Sequence, residues 1–167
     1  QMEAEKTLTN EEIIRELLDL LKKNAMKEPA NDVFEICSYV DGLEKKIASM
    51  TEELTSMQNQ IREMQEDTLI NNAKKALAEA QERLNARCEQ IKSQVYEVKI
   101  QVKSTAKSIV DEAKAKGRAA LYRVTEFAGM KKRLLNVRTA VKDAIVSTDR
   151  DIARTALLAK GLREAGQ

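Results

Sequence analysis

Acidic side chains stand next to one another at several points of the chain, Glu52-Glu53 and Asp111-Glu112 among them. Paired carboxylates can divide into a general acid and a general base, but only where a closed cleft raises one of the two pKa values. A solvated helix face offers no such cleft, so these pairs are read as surface. The run Ser147-Thr148-Asp149-Arg150-Asp151 has the alternating acids of a calcium loop without its glycine or its closing glutamate. Cys37 and Cys88 lie 51 residues apart, which suits neither a disulfide framework nor a Cys-x-x-Cys metal motif. There is no histidine, which removes His-based acid–base work, the Ser-His and Cys-His nucleophile pairs and most zinc sites. A phosphate-cradling glycine loop is missing too. The expectation is a protein that is not an enzyme and takes no cofactor or metal.

The stronger signal is cationic. Lys92, Lys99, Lys103, Lys107 and Lys114 recur at sevens and fours, along one side of a helix, and Lys131, Lys132 and Arg133 extend the series. Such a surface can neutralise phosphates, the source of non-specific, salt-dependent nucleic-acid affinity. These eight residues are the candidate nucleic-acid contacts. The competing reading is that they face the chain's own acids or water, since no recognition-helix motif and no interleaved aromatics accompany them. The net charge of +2 hides a division that bears on this choice. Residues 1–70 carry 8 Lys+Arg and 16 Asp+Glu, residues 71–167 carry 21 and 11, so the two halves have opposite sign.

These residues must be positioned by helices. In 167 residues there are five Gly and one Pro, and aromatics make up 3%, too few breakers for turn-rich sandwiches or disorder and too few aromatics for an ordinary sheet. Thr9-Asn10-Glu11-Glu12 has the form of a capping box, and Ile13, Ile14, Leu17, Leu18 and Leu21 then give one broad apolar face. Asn24 is the expected left-handed terminus and Pro29 fits the first turn of a second helix. Val33, Phe34, Cys37 and Val40 are the expected core of this hairpin.

From Val40 the spacing becomes strict. Val40, Leu43, Ile47, Met50, Leu54, Met57, Ile61 and Met64 step alternately by three and four, a heptad seam of about four repeats. β-Branched residues at one seam position lean towards two parallel strands, while the methionines specify poorly, and strand number and direction stay open. The seam is read as an oligomer interface, with a homo-oligomer or another protein helix as partner. Register is lost between Gln65 and Asn72, after which a second apolar series runs from Ile70 to about residue 112. Either one helix of about 125 Å at ~1.5 Å per residue continues through the break, or residues 67–72 form a turn with Asp67, Thr68 and the Asn71-Asn72 pair. Gly117 and Gly129 are expected to end helices, which leaves a short helix over 118–128 and a last one over 130–165 with Leu134, Val137, Val141, Ile145, Thr148, Ile152 and Leu158 as its stripe.

Leu121 to Leu135 also reads as a basic amphipathic segment that could lie on an anionic membrane, but the two glycines shorten it and no lipidation signal accompanies it. Membrane attachment is therefore not expected. No stretch approaches the ~20 apolar residues of a bilayer span and nothing resembles a signal peptide. A cytoplasmic protein is expected, with Met2 as its natural start.

Four segments carry a resemblance: 16–24, 39–45, Phe127-Ala128-Gly129-Met130 and 144–154. Together they resemble a domain-of-unknown-function family of small helical coiled-coil proteins carried by conjugative and other mobile elements of gut bacteria. The resemblance implies a bacterial setting and an accessory role in element maintenance or transfer, and supplies no catalytic residue. The expectation as a whole is an all-α fold, an N-terminal helical hairpin followed by long coiled-coil helices in an elongated, oligomeric bundle. Its parts are 1–29, 30–116 and 117–167. The expected function is oligomerisation or scaffolding, the alternative a DNA-associated accessory protein.

Overall fold

A computed structural model describes residues 6–64 and 68–165 of the chain; the side chains of 68–71, 133 and 135–140 lie outside the description. Among the described residues every regular element is helical. The α-helices are α1 (Glu12–Lys23), α2 (Lys27–Arg62), α3 (Thr68–Lys116) and α4 (Glu126–Ala165), with 3₁₀ segments at Leu8–Asn10 and Arg118–Thr125.

The N-terminal entry differs from the capping box. Thr9 lies in the 3₁₀ segment, Glu11 precedes α1, and no side chain caps the helix. The Thr9 hydroxyl is engaged elsewhere: it donates to Asp41 Oδ2 at 2.7 Å, and the backbone N–H of Leu8 donates to Asp41 Oδ1 at 2.6 Å. A carboxylate on α2 thus takes the hydrogen bonds that local capping would have used, and it holds Leu8 in the core with no exposed surface. The left-handed residue after α1 is Ala25, at φ 58°, not Asn24. Met26 N–H reaches Leu21 O and Ala25 N–H reaches Lys22 O, the paired bonds of a Schellman turn. Asn24 Nδ2 donates back to Leu20 O at 2.7 Å. Pro29 sits in the first turn of α2, where a missing N–H costs nothing.

The chain reverses after α2. Met64 N–H bonds Ile61 O, a tightened exit, and α3 opens at Thr68. The reversal precedes Asn71-Asn72, which lie within α3; Asp67 lies outside the described residues. At the other end Gly117, at φ 94°, stops α3 in a conformation that costs glycine little. Gly129 does not stop a helix. It lies in the first turns of α4 with nothing close to its missing Cβ, where a helical glycine costs only about 1 kcal/mol relative to alanine. Residues 118–125 are 3₁₀, with Ala120, Leu121 and Val124 buried.

The chain divides into two compact units that are not consecutive in sequence. Unit 1 comprises Gln1–Glu44 and Gln94–Thr139, unit 2 Lys45–Ser93 and Ala140–Gln167. The boundaries fall within α2, α3 and α4, so each of these helices serves both cores, unlike a division at residues 29 and 116.

In unit 2 the helix directions follow from the contacts. Thr51 Oγ1 stands 3.9 Å from Cys88 Sγ and Lys74 Nζ donates to Met64 O, so α2 and α3 run antiparallel. Arg163 pairs with Glu63 at 3.3 Å and Asp149 lies near Glu53, so α4 runs parallel to α2. Ile47, Met50, Leu54, Met57 and Ile61 are buried here, with Leu77, Leu84, Cys88, Ile91, Ile145 and Ile152. In α4 the stripe departs from expectation at its end: Leu158 is exposed and Ala159 buried, because Ala159 lies seven residues beyond Ile152 and keeps the inward phase. Val137 lies outside the described side chains.

In unit 1, α1 folds back on α2 through the Asn24–Met26 turn, and Ile14, Leu17 and Leu21 are fully buried. Val33, Cys37 and Val40 face inward with Ile36, whereas Phe34 is 51% exposed. One helical step of about 100° moves Phe34 away from the stripe that Val33 begins. Phe127, Leu121, Val124 and Met130 are buried in the same unit. The apolar face that a membrane-bound reading requires is spent on this core.

Candidate functional site

The heptad ridge is covered, as its spacing requires, and the chain covers it itself. Val40, Ile47, Met50, Leu54, Met57, Ile61 and Met64 are buried and Leu43 is partly exposed. These eight residues consequently offer little surface to a second chain, and the oligomer-interface reading loses the ridge it rested on.

The lysine series is dispersed by its partners. Lys99 is buried, its side chain 1% exposed, and its Nζ donates to Lys6 O at 3.0 Å and to Glu44 Oε2 at 3.2 Å. Burial removes it from the nucleic-acid contacts foreseen on spacing alone. Lys103 pairs with Glu11 at 3.3 Å, Lys114 with Glu16, and Lys131 with Asp32 and Glu35 at 3.3 and 2.9 Å. Hydrogen bonds donated to Glu16, and to Glu35 and Asp32, raise the pKa values of Lys114 and Lys131 above the ordinary lysine range. Lys107 pairs with Asp111 one turn on, at 2.8 Å. Lys92 and Lys132 are exposed, and the side chain of Arg133 lies outside the described residues. The basic half of the sequence therefore meets the acidic half within unit 1, across α1, α2, α3 and α4.

The adjacent carboxylates play separate parts. Asp111 holds Lys107, while Glu112 binds Arg123, which also takes Glu126 through Nε at 2.7 Å. The hydrogen bonds Arg123 donates to Glu126 and Glu112 raise its pKa further and keep the guanidinium charged. Glu52 is exposed, but Glu53 lies near Asp149 of α4; burial first, then the Asp149 charge, raise its pKa. Burial, with the Asp41 carboxylate nearby, pushes the Cys37 thiol up to about 12, which holds it in the unreactive protonated form. Cys88 is also free and buried. Among the described residues no three Cys, Asp or Glu side chains gather in a geometry fit for a metal.

One group of cations was not singled out on spacing. In unit 2, Arg83 and Arg87 of α3 and Arg154 of α4 line a cleft of about 160 Å³ with Asp151 and Thr155, over Ala80 and Leu84. The four-residue step from Arg83 to Arg87 is visible in the sequence. Its meeting with Arg154 depends on the α3–α4 pairing, fixed by Arg87 Nη1 and Asp151 Oδ2 at 2.9 Å.

The architecture defines an all-α helical bundle protein, and among the described residues no helix is long and apolar enough to cross a membrane. The chain belongs to a family of unknown function, DUF6674, whose model matches residues 10–167. No curated protein and no solved structure matches it.

Proposed function

We propose that the protein is a non-enzymatic assembly module that pairs with a second copy of itself through the outer face of α4. The observation that carries this reading is a pair of exposed apolar side chains on the outer face of that helix. Val146 and Leu157 are 46% and 70% exposed, with exposed Arg150 and Ala153 between them at steps of four, three and four. That spacing is a helix-pairing seam, directed away from the inward residues Ile145 and Ile152. A second copy suits it because two antiparallel α4 helices centred between Asp151 and Ile152 bring Val146 of each opposite Leu157 of the other, and a two-fold interface must be self-complementary in this way. The resemblance to small helical proteins of conjugative elements supports a bacterial, cytoplasmic setting and an accessory role in a mobile element.

Light scattering on the full chain is the test. A mass twice the 18.8 kDa of one chain, falling to one chain in the Val146→Glu/Leu157→Glu double variant, is the expected result. A wild-type monomer at high concentration, or an unchanged mass in the variant, would overturn it. The DNA-associated reading is weakened by the carboxylates already held by Lys99, Lys103, Lys107, Lys114 and Lys131, since phosphate contact there would first have to displace them.

A further inference from the structure

Most of the cations described above sit against acids. The cleft between α3 and α4 of unit 2 is different, because it gathers three guanidiniums around one carboxylate. Arg87 gives Nη1 to Asp151, and both side chains remain partly exposed, at 42% and 37%. Arg83 and Arg154 are exposed, and among the described residues neither has an ion pair. The lining thus carries a net charge of about +2, formed from like charges that repel one another in a concave space. Each guanidinium has five N–H donors in a fixed fork, and one of Arg87's is engaged. The Ala80 and Leu84 side chains close the floor without supplying an acceptor.

We infer that this cleft binds the terminal phosphate of a small phosphorylated molecule. A phosphate monoester brings nearly two negative charges and three acceptor oxygens at neutral pH, enough to engage more than one arginine fork, as a single carboxylate is not. Arginine is suited to this, since its planar donors meet phosphate oxygens in pairs. The Thr155 hydroxyl adds a donor at the rim. Asp151 shapes the choice: its charge disfavours an oxyanion close to Arg87, which leaves Arg83 and Arg154 as the principal contacts and provides an acceptor for a hydroxyl or amine of the same ligand. An internal phosphodiester has one charge and two free oxygens, so it matches the cleft less well. This site is independent of the assembly surface, as its occupancy is read by binding and not by mass.

Isothermal titration of the full chain with inorganic phosphate, phenyl phosphate and a single-stranded oligonucleotide lacking terminal phosphates, at constant ionic strength, tests it. Saturable binding of both phosphates is expected. It should weaken about tenfold or more in Arg83→Gln and in Arg154→Gln, as loss of a charge-assisted hydrogen bond predicts. Binding of inorganic phosphate alone would assign the site to the free ion and overturn the esterified ligand; binding of phenyl phosphate with the same dependence on both arginines supports it. Asp151→Asn frees Arg87 and removes a repelling charge, and should tighten binding several-fold. Arg118→Gln, in unit 1, should change nothing. Equal affinities in the wild type and the Arg83 and Arg154 variants, or no tightening in Asp151→Asn, would refute the site. Tighter binding of the oligonucleotide would refute the small-molecule ligand in favour of a nucleic-acid backbone.

Discussion

Lys99 and Glu44 form an ion pair in which the two partners are unequally exposed: the lysine side chain is 1% accessible and the glutamate 30%. The ammonium also donates to Lys6 O, so a charge inside unit 1 joins α3, α2 and the segment before α1. Removing one member of a buried pair leaves the other charged and unsatisfied. Lys99→Ala should therefore lower stability by about 2–4 kcal/mol in urea unfolding. The double variant Lys99→Met/Glu44→Leu should cost less than that single change, because neither charge is then left alone. A double variant less stable than Lys99→Ala would contradict this account.

Ala25 carries a left-handed backbone that a Cβ makes costly, on the order of 1 kcal/mol. Ala25→Gly should stabilise the chain by about 0.5–1 kcal/mol, raising Tm by about 1–4 °C at this chain length. Ala25→Val should do the reverse. Calorimetry that found glycine destabilising would show that the Schellman turn does not control the α1 terminus.

Thr148 is fully buried between Ile145 and Ile152, and its hydroxyl has no hydrogen-bond partner among the described residues. A buried hydroxyl left unpaired costs about 1–3 kcal/mol. Thr148→Val keeps the shape and removes the cost, so the unfolding midpoint should rise by about 1 kcal/mol equivalent. A loss of stability would mean that the hydroxyl is satisfied in solution.

Glu53 gives the chain a pH dependence with a defined sign. Its folded pKa is raised above the ordinary 4.5 by burial and by Asp149, so between those two values the folded state holds more protons than the unfolded one. Stability linked to this group must then rise as pH falls from neutrality through the raised pKa, and level off near 4.5. Glu53→Gln should stabilise the protein at pH 7 and flatten that part of the profile. Parallel Tm profiles for wild type and variant between pH 7 and 5 would rule out the Glu53–Asp149 contact as the cause.

The heptad from Val40 to Met64 and the apolar face of α1 could be read from spacing, because a stripe at three and four must be covered by something. What covers it could not. The same periodicity serves an intermolecular coil and an intramolecular hairpin, and the choice shows only in the antiparallel pairing of α2 with α3, through Thr51 with Cys88 and Met64 with Lys74. Lys99 shows the matching limit for charges. Its sevenfold relation to Lys92 placed it on a lysine face, yet helix geometry drifts by ~20° per heptad, and that position turns inward to Glu44. Phe34 and Leu158 failed by one residue of phase, and Thr9 because Asp41, 32 positions away, took its hydroxyl. The arginine cleft needed two helices to be brought together, which no local pattern encodes.

Because α2, α3 and α4 each contribute to both compact units, neither unit corresponds to a contiguous stretch of the gene. A clone ending at residue 93 would lack 94–139 of one unit and 140–167 of the other, and one beginning at residue 94 would be equally incomplete. Truncation mapping, the usual way to assign a binding activity to part of a protein, would abolish folding in both halves and report nothing about location. Point substitutions on the intact polypeptide are the route by which its activities can be dissected.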